Sequence, residues 1–234
     1  DLSNTDRVLD RGTRLAPVGE GKTLRIFSHW TNTHGSAGYM DVGVALLGAD
    51  FEHLAVSTWN TWSDNREWST YSGDKLVYPG DSAVEFFDIN LKAVRRLYPS
   101  AKWAVMTVQS WSGIPLSKVD MVAGTMFRSD ADKGENFDAR TVTSAFSPTT
   151  DAYQALPLAV DLGTGEMVWL DTSSGSTATG VSAAADNAIG PVVRDELSRP
   201  RMMMGELAQR WAAVHGVETV DSPVDRDAVL ALLD

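Results

Sequence analysis

Four acidic residues stand at or near turn residues in the first half of the chain. Asp41 opens an alternating segment just after a Gly-containing loop, and Asp74 follows Ser72-Gly73. Asp81 follows Gly80, and Glu85 comes shortly after it. Carboxylates at loops and strand starts are the ligands that hard cations select. Calcium gathers about six to eight oxygens from carboxylates, carbonyls and water. Asp and Gly also populate turns for conformational reasons alone. Spacing therefore leaves two readings of these positions open, a metal site and plain turn chemistry.

Other reactive groups are sparse. The four histidines are His29, His34, His53 and His215. His29 and His34 flank one loop and could share a site, although such pairs are more often loop features. His215 falls at a helix C-terminus, where a protonated imidazole suits the dipole. The chain holds eight tryptophans, and Trp59, Trp62 and Trp68 cluster around one loop. Exposed, they would form a stacking platform for sugars; buried, they are core. No phosphate-binding glycine loop, nucleophile elbow or zincin helix occurs. No base–nucleophile pair is readable, so an enzyme is not expected.

Positioning these residues falls to a run of short strands. Thr23–Trp30 alternates, with Leu24, Ile26 and Ser28 on one face. Met40–Leu47 alternates too, with Met40, Val42, Val44 and Leu46 on one face and Asp41, Gly43 and Ala45 on the other. Leu54–Trp59, Ala83–Ile89, Lys102–Trp111, Met121–Phe127, Thr141–Phe146, Leu156–Asp161 and Met167–Leu170 complete the set. Ser63 to Gly73 reads as a hydrophilic loop. Asn90–Tyr98 reads as a short crossover helix with Asn90 as its N-cap and Pro99 ending it. Short strands at this spacing predict two sheets packed face to face. Leu24, Ile26, Val42, Val44, Val105 and Val108 are the expected core.

The composition changes after Asp171. Residues 172–187 are rich in Ser, Thr, Gly and Ala and read as a flexible linker. Helices are predicted to start near Pro191, across Met203–His215 and across Asp225–Leu233. The middle one has an apolar stripe through Met203, Met204, Leu207, Ala208, Trp211 and Val214, and Gly216 sits where a helix would stop. The expected organisation is a sandwich over 1–171, a linker over 172–187 and a helical appendage over 188–234.

Composition narrows the function further. The 234 residues carry a formal net charge of −11. Such a field repels phosphate backbones, and Arg95-Arg96 and Arg199 to Arg201 are too small for a nucleic-acid footprint. No apolar run is long enough to span a bilayer. There is no cysteine, which suits a reducing cytoplasm, the expected location. The chain begins with Asp, not Met, and reads as a piece of a longer protein.

The ordered stretches GYMDVGVALLG, FEHLAVSTWNTW, YSGDKLVYPGDSAVEFFDINLKAV and KWAVMTVQSWSGIPLSKVDMVAGTMFR resemble the TerD-like (tellurium resistance) domain. FDARTVTSAF, PLAVDLGTGEMVWLD and RPRMMMGELAQRWAAVHG extend the resemblance across about residues 22 to 216. It is closest to the bacterial branch in which this domain lies within a larger stress- or defence-associated protein. The resemblance implies a mainly β fold: a calcium-binding β-sandwich without established enzymatic activity. It also implies links to tellurite resistance and stress, and partners among other protein domains, including those of the same parent chain. In that family's pattern Asp41, Asp74, Asp81 and Glu85 are the metal ligands. Gly43 and Ala45 stand where further oxygen ligands are expected, which implies a weak or degenerate site. A carbohydrate-binding sandwich using the clustered tryptophans is the alternative.

Overall fold

The computed structural model describes residues 8–16, 21–33, 40–111, 113–128, 137–142, 144–173, 183–199 and 204–216. The strands are β1 (Arg14–Leu15), β2 (Thr23–Thr31), β3 (Met40–Gly48), β4 (His53–Thr58), β5 (Ser69–Tyr71), β6 (Ser82–Asn90), β7 (Ala101–Ser110), β8 (Asp120–Arg128), β9 (Ser144–Phe146), β10 (Gln154–Asp161) and β11 (Met167–Ser173). The helices are α1 (Leu91–Leu97), α2 (Ala183–Ser198) and α3 (Met204–His215). Two sheets form, in the orders β1-β11-β10-β7-β3-β4 and β5-β6-β2-β8-β9. Every ladder within them is antiparallel. The fold is the mainly β sandwich expected from the strand pattern.

Alternation decides which side chains meet. Leu24 and Ile26 of β2 pack with Val42 and Val44 of β3 and Val108 of β7 in one interior cluster. Val105 is buried as well, but on the opposite side of its sheet. It lies an odd number of residues from Val108, so the pleat turns it away from the space between the sheets. There it joins Ala45, Leu47, Trp103 and Leu156 beneath Ile189 and Val193 of α2.

Helix α1 forms as its residues dictate. The Asn90 side chain accepts a hydrogen bond from the Ala93 amide at 3.1 Å, satisfying an amide left open by the helix start. Leu91, Ala93 and Val94 face the core.

Three local expectations change. The stretch read as a loop from Ser63 contains β5 and a 3₁₀ turn over Trp62–Asn65. The strand expected to begin at Thr141 begins at Ser144, preceded by a 3₁₀ turn over Ala139–Thr141. Thr172 and Ser173, placed in the linker, belong to β11, and α2 starts at Ala183. Residues 174–182 and the helix expected over Asp225–Leu233 lie outside the described residues.

The chain divides into two compact units, Asp1–Leu197 and Ser198–Asp234. The division falls between Leu197 and Ser198, at the last residue of α2. In the second unit α3 exists, yet Trp211 is 44% exposed and Val214 80% exposed. The apolar stripe of this helix is therefore solvent-exposed at both positions. The Trp211 ring stacks on His215 at 4.2 Å, and His215 Nδ1 lies 2.8 Å from the Trp211 carbonyl oxygen.

Candidate metal site

Strand edges create the site. β4 pairs with β3 only from Gly43 onward, so Met40 to Val42 have β7 on one side and no ladder partner on the other. β5 pairs with β6 only from Phe87 to Ile89. Glu85 lies past the end of that ladder. The chain leaving β5 covers the gap: the Ser72 amide donates to the Phe86 carbonyl at 3.0 Å, and the Phe86 amide donates to Ser72 Oγ at 3.0 Å. Gly73 then turns with φ of 89°, a conformation that glycine adopts without strain. That turn delivers Asp74.

Asp41, Asp74 and Glu85 consequently converge, with one carboxylate oxygen from each lying within 4.8 Å of the others. Two of the three are out of water: Asp41 is 5% exposed and Glu85 0%. Asp74 is exposed and opens the cluster to solvent.

Protein donors surround the buried pair. Tyr71 Oη donates to Glu85 Oε2 at 2.7 Å, and the Lys75 amide donates to Glu85 Oε1 at 2.8 Å. The Trp111 indole N–H donates to Asp41 Oδ2. Tyr71 is itself held by stacking on Phe87, ring centroids 4.9 Å apart. These bonds fix the orientation of both carboxylates.

Burial pushes the Asp41 carboxyl up to about 6; the Trp111 bond opposes this and the Asp74 charge adds to it. Burial pushes Glu85 up to about 8, against the bonds from Tyr71 and Lys75 and with the charges of Asp41 and Asp74. The Tyr71 hydroxyl is pushed up too, by burial first and by Glu85 next. Asp41 and Glu85, buried this close to one another and to Asp74, resist ionising unless positive charge joins them.

The donor set fits a hard cation. It contains oxygen only, without His or Cys. Ligand distances of about 2.3–2.6 Å put opposite oxygens of a calcium shell roughly 5 Å apart, which accommodates the observed spread.

Asp81, expected with the other three, is not in this cluster. Its backbone closes a turn, the amide donating to Tyr78 and the carbonyl accepting from Asn32. The Gly-Asp pairing there serves the turn. Gly43 has a packing reason: a Cβ on it would lie 2.5 Å from Thr107 Oγ1. Ala45 is fully buried in the cluster beneath α2. Neither position offers a side-chain oxygen.

The tryptophan cluster does not form a shared platform. Trp68 is 1% exposed, donates its indole N–H to Asn65 Oδ1 at 3.1 Å and meets Tyr98 edge-on. Trp62 is half-buried against the core, and Trp59 alone of the three is exposed. Burial lowers the His29 imidazole, with the nearby Asp120 opposing that shift. His34 lies outside the described residues. Tyr71 and Trp111, which carry the site's hydrogen bonds, were not anticipated as site residues. No helix among the described residues is long and apolar enough to cross a membrane.

No family model matches the chain, and no curated protein shows significant similarity to it.

Proposed function

We propose that this chain is a cation-binding β-sandwich of the TerD-like type that works by binding other protein domains, not by catalysis. The observation that supports this most directly is the meeting of Asp41, Asp74 and Glu85 within 4.8 Å, two of them buried. Calcium is the cation that this hard, all-oxygen set suits and that the sequence resemblance implies. The resemblance also supplies the setting, a cytoplasmic stress or tellurite-resistance protein in bacteria with partner domains that include those of its own parent chain. The acidic balance speaks against nucleic acid.

Asp41 sits on β3, Glu85 on β6 and Asp74 on the segment that joins β5 to β6. Bound calcium supplies the positive charge that lets Asp41 and Glu85 ionise beside Asp74. Asp74 then ties its exposed segment to both sheets and stiffens a surface that a partner can read. Gly43 and Ala45 add no side-chain oxygen, so affinity falls in the weak range of about 10⁻⁴ to 10⁻³ M.

Thermal melts in calcium and in chelator test the reading. A hundredfold excess over Kd should add about 2.7 kcal/mol of stability. Asp74→Ala, at an exposed position, should remove that gain without harming the chelated protein. Coincident wild-type curves would refute cation binding.

A further inference from the structure

We propose that Ser28 is an additional ligand of this site, supplying a hydroxyl oxygen from inside the sandwich. The inference rests on the cation reading of Asp41, Asp74 and Glu85 and extends it to a fourth residue on a third strand.

Ser28 is the direct cross-strand neighbour of Glu85 in the β2–β6 ladder. Directly paired residues project from the same face, with Cβ atoms roughly 5 Å apart. Leu24, Ile26 and Trp30 share that face of β2 and lie in the interior cluster with Phe87 and Ile89 of β6. Ser28 is the polar interruption of this apolar row, placed where the row meets Glu85.

Its hydroxyl is fully buried and has no hydrogen-bond partner. An unmade bond at a buried hydroxyl lowers stability, and Ala in its place would remove that penalty. A serine kept beside a buried carboxylate under these conditions points to a ligand that its oxygen meets. A hard cation held by Glu85 and Asp41 is such a ligand, since hydroxyl oxygens join carboxylates in oxygen-rich shells. The Trp30 indole N–H, also buried and without a partner, cannot serve in this way because it has no lone pair to give. An internal water shared by Ser28 and Trp30 is the competing account.

Calorimetric titration with calcium separates the two. Ser28→Ala should bind calcium on the order of tenfold more weakly, while its melting temperature in chelator stays equal or rises. Ser28→Cys gives a second readout, because the chain has no other cysteine. A sulfur at this position favours a soft ion. Cadmium should produce thiolate charge-transfer absorption in Ser28→Cys, and adding Asp41→Asn should abolish it. Equal calcium affinity in wild type and Ser28→Ala overturns the proposal and leaves the triad standing. Cadmium absorption that ignores Asp41→Asn overturns it as well. A wild type that binds no calcium removes the triad reading and this one with it.

Discussion

Glu85 sits out of water with its two oxygens already bonded to Tyr71 and Lys75, and still its proton affinity is raised. Burial and the neighbouring acids outweigh the two hydrogen bonds. Asp41 and Glu85 therefore hold protons more tightly folded than unfolded. The stability they contribute is complete below about pH 4. It is lost as pH rises through about 6 for Asp41 and about 8 for Glu85. Each titrating group gives a slope of up to about 1.4 kcal/mol per pH unit. In chelator, urea midpoints should fall between about pH 5 and pH 8.5, and Glu85→Gln should flatten the upper part of that fall. Calcium should restore most at high pH, where the acids are ionised. A flat wild-type profile would show that the two carboxyls are not strained by their surroundings.

Three of the four residues expected together, Asp41, Asp74 and Glu85, do converge, and turn glycines and strand starts marked where they would gather. Asp81 carried the same local mark and turned elsewhere, since a Gly-Asp pair specifies a turn without specifying its neighbours. Trp111 bonds to a residue 70 positions away and Tyr71 to one 14 away. Such pairings depend on sheet order, which no local spacing encodes.

Among the elements, β2, β6 and β8 carry a buried charge network that their patterns did not announce. The Arg25 guanidinium, 1% exposed, grips Asp88 with Nε–Oδ1 of 2.6 Å and Nη2–Oδ2 of 2.7 Å. It also lies 3.7 Å over the Phe86 ring, and Arg128 approaches Asp88 at 3.5 Å. Planar two-point pairing compensates for removing both charges from water. Breaking it leaves a buried charge unmatched, so Asp88→Ala should cost about 3–5 kcal/mol. The double change Arg25→Met with Asp88→Leu should recover most of that loss, because apolar replacements of whole buried pairs are often neutral. Equilibrium urea denaturation measures both. An Asp88→Ala loss under about 1 kcal/mol would mean that water reaches the guanidinium. Strand existence was readable from alternation, but β5 was hidden by its polar Ser-Thr-Tyr composition. The outward burial of Val105 followed from a third layer that the alternation itself could not reveal.

That third layer governs the molecule as a whole. A two-sheet sandwich ordinarily turns polar residues outward. Here the six-stranded sheet buries Ala45, Leu47, Trp103, Leu156, Val168 and Leu170 on its outer side, with Ile189 and Val193 of α2 set among them. The helix approaches so closely that a Cβ on Gly190 would lie 2.2 Å from the Phe51 carbonyl oxygen. Arg194 Nη2 donates to the Asp50 carbonyl at 2.6 Å, and Thr172 Oγ1 donates to Glu196 Oε1 at 3.3 Å. Composition suggested a linker and an appendage here because Ser, Thr and Ala dominate the approach to α2. The apolar residues that bind α2 to the sheet are few and follow later. A chain ended after Leu197 should thus melt cooperatively, like the first compact unit that it contains. One ended after Ser173 should expose a contiguous apolar face, bind a hydrophobic dye and aggregate. Size-exclusion chromatography with melting curves distinguishes them. Should the shorter chain stay monomeric and melt at the same temperature, α2 would be an accessory and the two-layer sandwich would be sufficient alone.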